Sequence, residues 1–145
     1  MSKKAIVSAC ILGECCRYDG KTKEVFGVRD NLDGYEIVPF CPEAPLFGTP
    51  RERISVVKID DEHRIITDET NKDVTELLRD EIDSFIKKNP TADKIILKSK
   101  SPSCGYKTTP ILNDKKEKIA VGNGIAVDMF IKHYGVKIIK DEKLC

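Results

Sequence analysis

The sequence carries almost no net charge: 25 lysines and arginines face 24 aspartates and glutamates, for a formal +1. The lysines are spread out, and the densest group, Lys115-Lys116-Glu117-Lys118, reads as a solvated turn. No electrostatic footprint for nucleic acid or for an anionic membrane surface is present. Long apolar runs are missing too; none approaches the roughly 20 residues of a membrane-spanning helix. Met1-Ser2-Lys3-Lys4 leads directly into a short apolar strand, without the longer apolar region and cleavage site of a signal peptide. The expectation is a soluble, cytoplasmic chain. Linkers, repeats and low-complexity tracts are also lacking. At 145 residues the chain has about one domain's length, so residues 1–145 are expected to form a single domain with its own core.

The motif Cys-x-x-Cys is absent, although the chain holds six cysteines. That argues against a zinc ribbon and against a thioredoxin-type redox site. In a reducing compartment, cysteines in such number point to metal binding or catalysis rather than to disulfides.

What the sequence does contain is a set of short apolar runs that end in chemistry. Ala5–Ala9 runs into Cys10, Tyr35–Phe40 runs into Cys41, and residues 93–98 run into Ser101-Pro102-Ser103-Cys104-Gly105. The first run reads as a buried strand, and the other two as the second and third strands. Residues 74–88 are the clearest helix: Val74, Leu77, Leu78, Ile82, Phe85 and Ile86 recur at helical spacing. Asp73 and Glu76 stand at capping-box positions, and Asn89-Pro90 stops the helix. A second helix follows Gly122-Asn123-Gly124 and ends at Gly135, with a last strand over Val136–Ile139. Residues 53–59 and 63–67 suggest a hairpin across Asp60-Asp61-Glu62. Residues 110–112 and 118–121 can pair around Asn113-Asp114. The fold class that follows is α/β: a mostly parallel, Rossmann-like sheet flanked by helices, with a small β-hairpin annex.

In open parallel sheets, ligands bind beyond the carboxyl ends of the strands. Cys10, Cys41 and Cys104 all follow such ends. A single cysteine there is often just a small buried hydrophobe; three at equivalent positions are harder to read so. Three thiolates fit zinc, with water or a fourth ligand. They also fit a [4Fe–4S] cluster with one iron left open as a Lewis acid. Cysteine spacing does not choose between these.

Three motifs occur together and in order: Ser8-Ala9-Cys10-Ile11-Leu12-Gly13 with Arg17-Tyr18-Asp19-Gly20, then Val38-Pro39-Phe40-Cys41-Pro42-Glu43, then Lys98 to Gly105. With them the chain resembles, over essentially its whole length, the thiouracil desulfidase (TudS) family, a small bacterial family long catalogued as a domain of unknown function. The resemblance implies a [4Fe–4S] cluster held by Cys10, Cys41 and Cys104. It implies Glu43 and Ser101 as catalytic residues: Glu43 as general base for water, with Ser101 as a relay. The reaction implied is non-redox hydrolysis of a thiocarbonyl compound such as 2-thiouracil, with sulfide leaving on the open iron. A small thiolated, thiopyrimidine-like substrate and the iron–sulfur assembly machinery are the implied partners. Asn123, at a glycine-flanked helix start, can offer donors to the substrate or to the sulfide. Two places depart from the family pattern: the vicinal Cys15-Cys16 pair, with Cys16 the substitute ligand, and the less glycine-rich segment after Glu43 that keeps Pro50-Arg51. Arg17 and Asp19 read as a structural pair, His63 and His133 as solvated, and Cys15 and Cys145 as non-ligands. The competing readings are a non-catalytic metal- or sulfur-delivery protein and a structural zinc domain.

Overall fold

A computed structural model of the chain describes residues 3–12, 32–48 and 52–142. Cys15, Cys16, Arg17, Asp19, Pro50-Arg51 and Cys145 lie outside the described residues.

Among the described residues, eight strands and three helices follow in chain order. β1 (Lys3–Ser8) runs into a 3₁₀ turn at Ala9–Leu12. β2 (Tyr35–Phe40) is followed by the single-turn α1 (Ala44–Phe47). β3 (Ile54–Ile59) and β4 (Glu62–Thr67) precede α2 (Thr75–Lys88), and β5 (Lys94–Lys98) follows it. β6 (Thr109–Leu112), β7 (Lys118–Gly122), α3 (Ile125–Tyr134) and β8 (Ile139–Glu142) complete the chain.

The strands form two four-stranded sheets. The first has order β2-β1-β5-β8, and every pairing in it is parallel. Strand order reverses between β1 and β5: the chain leaves β1 toward β2, then returns to the other side. Period-2 alternation divides β1 between two cores. Ile6 packs with Phe40, Ile95 and Leu97 against Leu78 and Ile82 of α2 and Phe130 of α3. Ala5 and Val7 face the other way, toward Ile11, Leu32 and Ile96. Phe40, Phe85 and Phe130 meet as tilted ring pairs, with centroids 4.7 to 6.3 Å apart.

The second sheet has order β4-β3-β6-β7. The hairpin read from the sequence is there, turned by Asp60 and Asp61 at φ 49° and 63°. Two positive φ values in a two-residue loop match the right-handed twist of the flanking strands. The annex is larger than one hairpin, because β3 also pairs in parallel with β6, which pairs with β7. Val56, Ile65 and Ile111 on its inner face join the main core.

Two local readings shift. Asp73 accepts from the Thr75 amide at 3.0 Å and the Thr75 hydroxyl at 2.6 Å, while Glu76 pairs with Arg79 and Arg64 rather than closing a capping box. The last strand starts at Ile139, because Val136–Ile138 coil into a 3₁₀ turn after Gly135 leaves the helix at φ 91°. Pairing with β5 begins only at Ile139, opposite Ile95.

Candidate functional site

Ser8, Phe40 and Lys98 end β1, β2 and β5, which are adjacent and parallel, so the residues beyond them share one edge of the sheet. Cys10 lies in the 3₁₀ turn after β1, Cys41 directly follows β2, and Cys104 lies in the loop after β5. Strand order reverses between β1 and β5, which is where ligands bind in open sheets of this kind. The side chain of Cys10 is not among those described; those of Cys41 and Cys104 are.

The loop from Ser99 to Thr109 is rigid by construction. Thr109 Oγ1 donates to the Ser101 carbonyl at 2.6 Å, and the Gly105 amide donates to the same oxygen at 2.9 Å. From outside, α3 presses its first amides onto the loop. Gly124 N donates to Gly105 O at 2.7 Å, Ile125 N to Pro102 O at 3.2 Å, and Ala126 N to Ser103 O at 2.8 Å. A helix start whose orphan donors are already taken has none left for a ligand. Asn123 is used in the same way: its Oδ1 accepts from the Lys107 amide and its Nδ2 donates to Asp128. The expected donor role of Asn123 toward a substrate therefore has a structural rival. Two glycines make the packing possible. A Cβ at Gly124 would come within 2.5 Å of the Ser103 carbonyl carbon, and one at Gly105 within 3.0 Å of Ser101 O.

Inside this loop, two serines and Glu43 make a directed chain. Ser101 Oγ accepts the amides of Ser103 at 3.2 Å and Cys104 at 3.1 Å. Ser103 Oγ donates to Glu43 Oε2 at 2.8 Å and stands 3.2 Å from Ser101 Oγ. With the Ser103 proton committed to the carboxylate, the Ser101 hydroxyl is the donor in the pair. Ser101 thus reaches Glu43 through Ser103. Ser103 is 1% exposed and Glu43 half-buried, so the serine end of this bond is shielded from water. Glu43 is held from its own side by α1, whose Phe47 amide donates to the Glu43 carbonyl at 2.9 Å.

Cys104 is buried, and burial pushes its thiol up to about 12. The nearby Cys41 and Glu43 act in the same direction, while the hydroxyls of Ser103 and Ser8 oppose it by hydrogen bonding. Such a thiol keeps its proton at neutral pH, and a metal must displace it on binding. Among the described residues, no three His, Cys, Asp or Glu side chains are grouped to hold a metal ion. The described side chains at the sheet edge nevertheless offer soft sulfur from Cys41 and Cys104, with the Glu43 carboxylate engaged by Ser103, hydroxyls at hand and no imidazole, since His63 lines a cleft elsewhere and His133 bonds the Pro90 carbonyl. Sulfur donors of this type suit an iron–sulfur cluster.

That cleft, of about 400 Å³, opens between the β3–β4 hairpin and α3 over Val56, Ile65, Ile125 and Met129. Its lining holds none of the cysteines, Glu43 or the loop serines, although Asn123 and Ile125, which brace the cysteine loop, border it. Ser103 and Ser8 are the site residues that the motifs contained but to which no role was given. Ser8 was findable: in a strand it shares a face with Ile6, the face on which Cys104 packs.

The family model described as 2-thiouracil desulfurase matches residues 5–143. The uncharacterised protein YbbK of Bacillus subtilis (strain 168) is 30% identical over 152 residues, covering 96% of each chain. A solved structure of the [4Fe–4S]-dependent thiouracil desulfidase TudS superposes with a TM-score of 0.73 at 29% identity, covering 98% of this chain and 91% of that one.

Proposed function

The chain belongs to the 2-thiouracil desulfurase family, and we propose that it is an iron–sulfur-dependent desulfidase acting on a thiocarbonyl compound such as 2-thiouracil. Cys10, Cys41 and Cys104 would hold a [4Fe–4S] cluster. The observation that carries this reading is the Ser103 bond to Glu43, which ties the Cys-Pro-Glu segment after β2 to the cysteine loop after β5. The TudS neighbour supports the cluster.

A cluster held by three thiolates would supply an open iron, a Lewis acid that polarises a carbon–sulfur double bond. The overall change is C=S + H₂O → C=O + H₂S, in which nothing is oxidised or reduced. Glu43 accepts a proton from the attacking water and returns it to the departing sulfur. Ser103 holds one carboxylate oxygen, and Ser101 holds Ser103 and the loop amides, so the carboxylate does not have to reorganise during the proton transfer. The iron–sulfur assembly machinery would load the site in the cytoplasm.

The test is anaerobic reconstitution with iron and sulfide, an iron count, and measurement of sulfide released from 2-thiouracil. Glu43→Gln keeps an oxygen for Ser103 but removes the base. It should retain iron and lose about 10²- to 10⁴-fold in kcat. Reconstituted protein that binds thiouracil but releases no sulfide would support a delivery role instead. Wild-type turnover in Glu43→Gln would remove Glu43 from catalysis.

A further inference from the structure

The three strands that carry the cysteines are not the whole of the first sheet. β8 is its fourth strand, parallel to β5, and it ends at the same edge. Asp141 stands opposite Leu97 in that pairing. Period-2 alternation puts it on the face of Ile139, which joins Leu97 and Cys104 in the main core. Aspartate is a poor choice for packing such a face. The carboxyl end of a parallel sheet is instead where sites are built.

The two oxygens of Asp141 are used unequally. Oδ1 accepts from the Tyr106 amide at 2.9 Å and from the Thr108 hydroxyl at 3.0 Å. Thr108 Oγ1 in turn accepts from the Lys100 amide at 2.9 Å. Lys100 precedes Ser101 and Tyr106 follows Gly105, so one oxygen ties both ends of the turn that holds Ser101, Ser103 and Cys104. Oδ2 is buried and has no partner among the described residues. Burying an acceptor without a partner costs stability, so what favours the placement is the pair of bonds at Oδ1.

The turn needs such a hold. Lys100 and Lys107 flank it with φ of 65° and 61°. Left-handed backbone is unfavourable for a residue with a side chain and persists only where its surroundings fix it. Lys107 is fixed by Asn123, whose Oδ1 takes its amide at 2.8 Å. Lys100 is fixed through Thr108, and Asp141 orients the Thr108 hydroxyl by taking its proton.

We propose that Asp141 is a positioning residue: through Oδ1 it clamps both ends of the cysteine turn, and so sets where Cys104 and the Ser103 bond to Glu43 lie. Its effect on turnover rests on the desulfidase reading of the site; the clamp itself does not.

The experiment compares wild type, Asp141→Ala and Asp141→Asn. Asparagine keeps an oxygen for Tyr106 and Thr108 and replaces the other; alanine removes both. Amide hydrogen exchange of the metal-free protein is read first. Bonds to a carboxylate are worth about 10- to 100-fold in a local equilibrium. In Asp141→Ala the amides of Ser103 to Tyr106 should exchange faster by about that factor, while those of α2 keep their wild-type rates. Asp141→Asn should stay close to wild type. Sulfide release from 2-thiouracil is read next, after anaerobic reconstitution. A displacement near 1 Å at a reacting centre costs about 100-fold, so Asp141→Ala should lose about 10- to 100-fold in kcat with little change in KM. Asp141→Asn should recover most of it. Unchanged exchange or unchanged kcat in Asp141→Ala overturns the inference, as does faster exchange that extends to α2, which marks a global loss of stability. An Asp141→Asn protein as defective as Asp141→Ala also overturns it, because the effect would then lie in Oδ2. If Asp141→Ala does not fold, Thr108→Val replaces it and cuts only the link to Lys100; unchanged exchange of the turn amides there overturns the inference. Wild-type protein that takes up no cluster or releases no sulfide overturns the functional reading, and the exchange rates of metal-free protein then still decide the clamp.

Discussion

Replacing Gly124 by alanine tests the packing that places Cys104. The backbone at Gly124 is extended, with φ −67° and ψ 161°, which any residue can adopt. On backbone grounds alone, Gly→Ala at a compatible site stabilises by about 0.4–1 kcal/mol, because it narrows the unfolded ensemble. The contacts predict the opposite sign. The new Cβ would lie 2.5 Å from the Ser103 carbonyl carbon, 2.6 Å from its oxygen and 2.7 Å from the Cys104 amide nitrogen. All three are backbone atoms, so no flexible side chain can give way. Ordinary contact begins near 3.4 Å, so helix and loop must separate by about 0.9 Å. Overpacking of this kind costs about 1–3 kcal/mol, and at this chain size each kcal/mol lowers Tm by roughly 2–4 °C. The separation also stretches the Ile125 and Ala126 amide bonds to the loop. A displacement near 1 Å at a reacting site costs about 100-fold in rate. The assay is a thermal melt of metal-free protein, followed by iron content and sulfide release. Gly122→Ala is the control, since its Cβ would meet only the Ile111 side chain at an ordinary 3.5 Å. A Gly124→Ala protein as stable as wild type, with normal turnover, would refute the argument that helix-to-loop contact sets the position of Cys104.

Two further outcomes follow from the same structure. Cys104→Ser should fail to retain iron after anaerobic reconstitution, a larger loss than the roughly 10- to 100-fold that outer hydrogen-bond partners contribute; a full iron count would remove Cys104 from the ligand set. Asp73 concerns stability. Partial burial raises its pKa, but bonds from Arg64 and Thr75 outweigh this and hold it at about 2, below its ordinary 3.8. Its contribution is present above pH 3.8 and is lost as pH falls toward 2. Because the carboxylate is 41% exposed, solvent screening limits it to about 1 kcal/mol. Urea unfolding should show Asp73→Asn less stable than wild type at pH 6, with the gap closing near pH 2; a gap of constant size would refute the titration argument.

Much of this protein could be read from the order of its residues. Short β-branched runs predicted strands at β1, β2 and β5; β1 and β5 are buried and leave no room for polar alternation, whereas β2, at the sheet edge, buries only Phe40. The spacing of Leu78, Ile82 and Ile86 predicted α2, since those positions share one helical face. The three cysteine motifs, with Cys-Pro-Glu and Ser-Pro-Ser-Cys, predicted the family, because short contiguous segments carry them. Other features depended on partners far away in the chain. The second sheet exists because β3 finds β6 some fifty positions later, a pairing that no local pattern encodes. The Glu43 bond spans sixty residues and goes to Ser103, although the motif alone made Ser101 the candidate. Ser8 meets Lys98 across ninety residues. Residue types and strand faces are local properties of a sequence; which hydroxyl proton goes to which acceptor is settled by distance and burial, and these arise only when β1, β2 and β5 lie side by side and α3 closes over the cysteine loop.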